Sequence, residues 1–153
     1  MITLSNFDIE EICKELKLPL VEVYSKDELE GIDKYEGSYY VNMQDSDDGN
    51  GTHWVFMYID KDGKALYFDS FGLPPLIEIE EFLNMFKPFY VNDRQIQDMK
   101  STNCGFYCIA LDSFLKYQYD KKNDLIYNYA KYINMWSFDT QTNDKILKEY
   151  MKK

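Results

Sequence analysis

The sequence predicts an α+β domain, with a central mixed, mainly antiparallel sheet flanked by helices. Three observations lead there. The middle of the chain, from Gly37 to Asp69, is rich in Tyr, Val and Phe and is broken by turn-forming residues. On either side of it, apolar residues recur at helical spacing. No composition break, repeat or low-complexity linker divides the 153 residues, so residues 1–153 are read as a single domain of ordinary size.

The elements follow in chain order. Ser5 opens a helix whose apolar stripe is Ile9, Ile12, Cys13 and Leu16. Ser5 can cap the free amides, with Asp8 three residues on as a weaker form of the usual capping-box Glu or Gln. Leu18-Pro19 ends that helix, and Leu20 to Tyr24 is a strand or an extended arm. Gly37 to Met43 and Thr52 to Ile59 read as strands, separated by a polar loop from Asp45 to Gly51. Asp60-Lys61-Asp62-Gly63 is a hairpin turn leading into Lys64 to Asp69. After Phe71-Gly72-Leu73-Pro74-Pro75, a helical stripe of Leu76, Ile79, Phe82, Leu83 and Phe86 appears, and Pro88 to Gln95 returns to extended chain. The last third is helical. Asn103 can cap a helix from Cys104 to about Tyr119, buried through Phe106, Ile109, Ala110, Phe114 and Leu115. Asn123 to Trp136 carries Leu125, Ile126, Tyr129, Ala130 and Ile133, and Asp139 or Thr140 can cap a final helix through Ile146, Leu147 and Tyr150.

Composition narrows the function classes. The net charge of -10 repels a phosphate backbone, so no nucleic-acid partner is predicted. The local basic stretch around Lys121, Lys122 and Lys131 is interleaved with acids and reads as a solvated helix face. No leader pattern and no run of eighteen apolar residues occurs, which predicts a soluble, intracellular protein with no membrane partner. The three cysteines, Cys13, Cys104 and Cys108, follow no disulfide framework and fit a reducing compartment.

One constellation carries chemistry. The single histidine, His53, stands at the start of the most β-prone run. Asp69 ends the next strand, so a hairpin through Asp62-Gly63 brings the two to one sheet edge. There the carboxylate can hold the imidazole's tautomer and orientation. By itself, Asp69 would be read as a turn residue before Gly72. Cys104 lies in Asn103-Cys104-Gly105, at the first turn of an apolar helix, where unpaired amides and the helix dipole favour a thiolate. Gly105 is read as leaving the approach to the sulfur uncrowded, and Cys108 and Cys13 as core residues. A donor for an oxyanion could come from Gln95 or Gln97, and spacing alone does not choose.

His53-Trp54, then Asp69 about a hairpin later, then Gln97 and Asn103-Cys104-Gly105, resemble the adenovirus-protease and Ulp1 superfamily of cysteine proteases, whose order is His, Asp or Glu, Gln, Cys. Papain-like enzymes place the Cys before the His. The likeness is tightest over Gly51 to Gly72 and Ile96 to Phe114. The flanks look more like the small processing proteases of virophages, Polinton-like elements and large DNA viruses than like cellular SUMO proteases. The resemblance implies that fold and a protease triad, with His53 as general base, Asp69 as orienting acid and Cys104 as nucleophile. It implies Gln97 as oxyanion donor, since the adenoviral spacing puts the Gln seven residues before the Cys, and it demotes Gln95. Trp54 matches the Trp that closes a narrow tunnel over a Gly-Gly tail in SUMO proteases, which makes it a substrate-binding residue. The chain lacks a counterpart of the cysteine that tethers the adenoviral activating peptide, and its acidity speaks against the DNA activation known in that family, so no peptide, DNA or other cofactor is expected.

These readings favour a viral maturation protease, cutting capsid or other virion precursors at short Gly-containing motifs in the virion or the host cytoplasm. The alternative is a peptidase that removes ubiquitin or a ubiquitin-like protein from host conjugates. A silent binding module and an acetyltransferase rank lower: the triad residues are intact, and no basic pocket for CoA phosphates is evident. No metal site is expected, because a single His and this Cys spacing do not make a zinc signature.

Overall fold

In the computed structural model, which describes residues 3–33, 35–44, 53–118 and 122–152, the β-prone middle of the chain forms one five-stranded mixed sheet. Its strands are β1 (Val21–Ser25), β2 (Gly37–Asn42), β3 (Trp54–Ile59), β4 (Ala65–Phe68) and β5 (Phe89–Val91), adjacent in chain order. The central pairs β2–β3 and β3–β4 are antiparallel, whereas the edge pairs β1–β2 and β4–β5 are parallel. The polar loop read at Asp45 to Gly51, together with Thr52 and Lys121, lies outside the described residues.

The strands alternate, yet both of their faces are buried. Tyr40, Trp54, Phe56, Leu66 and Phe68 face one core, while Tyr39, Val41, Val55, Met57, Ile59, Ala65 and Tyr67 face another. Period-two patterning therefore shows up as a continuous apolar run, as expected of a sheet covered on both sides. The first core is closed by α1 (Asn6–Glu15), α3 (Cys104–Tyr117), α4 (Leu125–Asn134) and α5 (Asn143–Met151). The second is closed by the shorter α2 (Ile77–Leu83) and by a 3₁₀ turn at Lys26–Gly31, which the sequence reading did not foresee. Among the described residues, no helix is long and apolar enough to cross a membrane.

Local chemistry explains the boundaries. Ser5 and Asp8 form a reciprocal capping box at the start of α1. In the β3–β4 turn, Asp60 Oδ1 accepts from the N–H groups of Asp62 and Lys64, and Gly63 takes the positive φ of 81°. Asp124 caps α4 by accepting from Tyr127 N–H. The final helix begins with a 3₁₀ turn at Thr140–Thr142 capped by Asp139. Two helix faces depart from the sequence stripes. On α4, Ile126 is exposed while Asn128 and Tyr132 are buried. On α3, Phe106 is only half-buried, although this helix is enclosed on nearly every other side.

Enclosure of α3 puts a carboxylate in the interior. Asp112 is fully buried, accepting from Ser38 Oγ at 2.7 Å and Tyr40 Oη at 2.6 Å, with Lys116 Nζ at 3.1 Å. Lys116 also donates to the Pro19 carbonyl at 2.7 Å, so one ion pair ties α3 to β2 and to the end of α1's connection. Removing one partner of such a group leaves the others unpaired in a dry setting. Asp112→Ala is expected to lower unfolding stability by about 3–5 kcal/mol in urea melts, with little change in slope.

Candidate active site

The site forms where the start of β3, the end of β4 and the start of α3 meet. The antiparallel register Phe56↔Phe68, continued beyond the strand, sets His53 opposite Phe71, and their rings stack at 5.0 Å. From the same loop, Asp69 Oδ1 lies 3.0 Å from His53 Nε2. Asp69 is only 1% exposed, while the imidazole keeps 20% of its side-chain surface open. The turn reading of Asp69 also holds, because the same Oδ1 accepts from Phe71 N–H at 2.9 Å and the Asp69 carbonyl accepts from Gly72 N–H at 2.8 Å. One carboxylate thus shapes the loop and orients the ring.

With Nε2 committed to Asp69, Nδ1 is the ring nitrogen left free of that carboxylate, and the Cys104 side chain lies near enough to act on the charge of the ring. Cys104 is the first residue of α3, so free helix amides surround it. Trp54 N–H points at its sulfur across 3.4 Å. Asn103 does not cap the helix with its side chain. Its Oδ1 is buried without a partner, and its N–H bonds Ser101 Oγ at 3.2 Å. Gly105 has a different reason from the one its sequence suggested. A Cβ there would meet Leu4 Cδ1 at 2.9 Å, so the glycine admits the N-terminal segment to the helix rather than clearing a path to the sulfur.

The other two cysteines are distinguishable from Cys104. Burial pushes the Cys13 thiol up to about 11, and burial raises Cys108 well above the ordinary thiol range. Cys108, fully buried, donates to the Trp54 carbonyl at 3.7 Å. For His53, burial opposes the charged form, but the bond to Asp69 and the neighbouring Cys104 side chain outweigh it and raise the imidazole to about 9.

Gln97 is fully buried beside this group. Its Oε1 accepts from Ser70 Oγ, and its Nε2 donates to the Ser101 carbonyl at 2.9 Å and Ser101 Oγ at 3.2 Å. Gln95 is exposed and spends its amide on the Gln97 carbonyl at 3.0 Å. The Ser70 carbonyl accepts from Ile96 and Gln97 N–H groups, which docks the Asp69 loop onto the 94–97 segment. Gly72 makes that approach possible, with φ of 74° and a Cβ position only 2.6 Å from the Arg94 carbonyl carbon.

Trp54 differs from its expected role. Its side chain is 1% exposed and its indole N–H donates to the Leu4 carbonyl at 2.8 Å, so in this structure it braces the N-terminal segment instead of walling a substrate path. Sequence reasoning also missed Phe71, Asn92, Ser101 and Asp144. Phe71 was the findable one, since the hairpin register sets it opposite His53. Among the described residues, no three His, Cys, Asp or Glu side chains converge as metal ligands.

Because His53 is the only histidine, its titration can be followed alone by NMR. The expected midpoint is about 9. Asp69→Asn should bring it down toward the ordinary value of about 6.5. Since folding raises this group, its contribution to stability is complete below about pH 6.5 and is lost as pH rises through about 9. A wild-type midpoint near 6.5 would refute the His53–Asp69 coupling.

Compared with protein-family models, the chain matches none, and it has no significant match among curated proteins.

Proposed function

We propose that this protein is a cysteine endopeptidase, with Cys104 as nucleophile, His53 as proton carrier and Asp69 as the group that orients the ring. The observation that carries this reading is the pairing of His53 Nε2 with a buried carboxylate at 3.0 Å, on the residue just before Trp54, whose backbone N–H is directed at the Cys104 sulfur at a helix start. The Cys104 thiol gives its proton to His53, and the sulfur attacks the scissile carbonyl carbon. The imidazolium then returns its proton to the leaving amine, the C–N bond breaks and a thioester on Cys104 remains. Water, deprotonated by His53, cleaves the thioester and restores the thiol. The developing oxyanion can be met by the Cys104 backbone N–H and by Gln97 Nε2, which would exchange its longer 3.2 Å contact with Ser101 Oγ for the substrate oxygen.

The substrate class rests on the resemblance to the maturation proteases of virophages, Polinton-like elements and large DNA viruses. The proposed substrates are capsid and other virion precursors cut at short Gly-containing motifs. A glycine-lined scissile site also suits a nucleophile that is 3% exposed, since side chains beside the bond would have little room.

The deciding experiment is co-expression of wild type or Cys104→Ala with the major capsid precursor of the source element, read by intact mass. Cleavage by the wild type alone is expected, and cleavage that persists in Cys104→Ala would end the proposal. His53→Ala should be about as inactive as the double mutant, because the triad acts as a unit. Cys13→Ala and Cys108→Ala should still turn over. The rate should fall as pH rises through about 9, where the imidazolium that protonates the leaving amine is lost. Reaction with a ubiquitin-like probe, without precursor cleavage, would instead favour a deconjugating peptidase.

A further inference from the structure

Asp69 lies past the last residue of β4, and the β4–β5 ladder ends at Tyr67↔Val91. On the β5 side its backbone therefore has no strand residue across from it. A side chain supplies the missing rungs. Asn92 Oδ1 accepts the Asp69 N–H at 3.0 Å, and Asn92 Nδ2 donates to the Asp69 carbonyl at 2.8 Å. One carboxamide thus engages both backbone groups of one residue, as a residue of an antiparallel strand would in a hydrogen-bonded pair. The second Nδ2 hydrogen reaches the Arg94 carbonyl at 3.2 Å. From α4, the Tyr129 hydroxyl donates to the Tyr67 carbonyl at 2.6 Å and sits 3.2 Å from Asn92 Oδ1. Asn92 is 6% exposed and Tyr129 is 3% exposed.

We propose that Asn92, held in place by Tyr129, is a positioning residue that fixes the Asp69 backbone so that its carboxylate keeps His53 Nε2 and leaves Nδ1 for Cys104. This rests on the triad reading above. The reason is geometric. Asp69 Oδ1 must serve both Phe71 N–H and His53 Nε2, and a small rotation of the Asp69 peptide would sacrifice one of them. The amide clamp removes that freedom from the side opposite the ring. Supporting groups of this kind, acting through a ligand or orienting residue, typically matter by about 10- to 100-fold.

The test is the NMR titration of His53 beside kcat and KM on a cleaved peptide, in wild type, Asn92→Ala, Asn92→Asp and Tyr129→Phe. Asn92→Ala is expected to lower the His53 midpoint by about one pH unit or more. It should cut kcat by about 10- to 100-fold, with KM changed by less than about threefold. Asn92→Asp, which loses the donor to the Asp69 carbonyl, should not rescue either quantity. Tyr129→Phe should move both in the same direction by less. A folded Asn92→Ala with an unchanged midpoint would overturn the proposal, whatever its kcat. If Asn92→Ala does not fold, Tyr129→Phe decides: a lowered midpoint supports the clamp, and an unchanged midpoint and kcat overturn it. The titration needs no substrate, so a wild type that cleaves nothing would sink the protease reading while the midpoints still judged Asn92.

Discussion

The site depends on the backbone of one residue, Trp54. Its N–H is directed at Cys104 Sγ and its carbonyl receives the Cys108 thiol. The two sulfurs stand four residues apart on α3, hence on one face of the helix, and they bracket the first residue of β3 between them. Neither contact is strong alone. Together they set the height of the helix start against the strand start, and that height brings the residue before Trp54 within reach of the sulfur. The enclosure of α3, tied deeper in the molecule by Asp112 and Lys116, keeps the relation from sliding.

A second constraint adds to the first. The loop after β4 is fastened to the segment after β5 through the Ser70 carbonyl, the Asn92 carboxamide and the close passage at Gly72. From there a polar chain runs outward. Gln97 bonds Ser101, and Ser101 Oγ and the Tyr107 hydroxyl both donate to Asp144 at the start of α5. The amide proposed to meet the oxyanion is therefore held by side chains that reach back to the C-terminal helix. Residues distant in sequence share one hydrogen-bonded assembly, in which each buried polar atom depends on its neighbour for satisfaction.

Much of this was legible in the sequence, for identifiable reasons. Asp60 to Gly63 carries its own turn chemistry, so the hairpin that brings His53 and Asp69 together could be read directly. The helix from Cys104 was equally readable from its apolar content. What could not be read depends on tertiary neighbours. Asn92 resembles any polar residue at a strand end until its partner across the loop is known. Gly105 invites an explanation from the adjacent cysteine, but Leu4, a hundred residues away, is what requires it. Trp54 was assigned a surface role by analogy, and its burial follows from where the N-terminal segment lies. The 3₁₀ turn at Lys26–Gly31 is too short to leave a periodic signal.

The near-complete burial of Cys104 has a kinetic consequence. A soluble electrophile can reach the sulfur only when the surrounding chain breathes, and breathing here means parting the helix start from the strand start. The rate at which a small reagent labels this thiol would then time the opening of the fold around it rather than the intrinsic reactivity of sulfur. A bound peptide that wedges the opening would speed labelling, and a compact inhibitor that seals it would slow labelling. The Cys104 thiol therefore serves as a gauge of local motion.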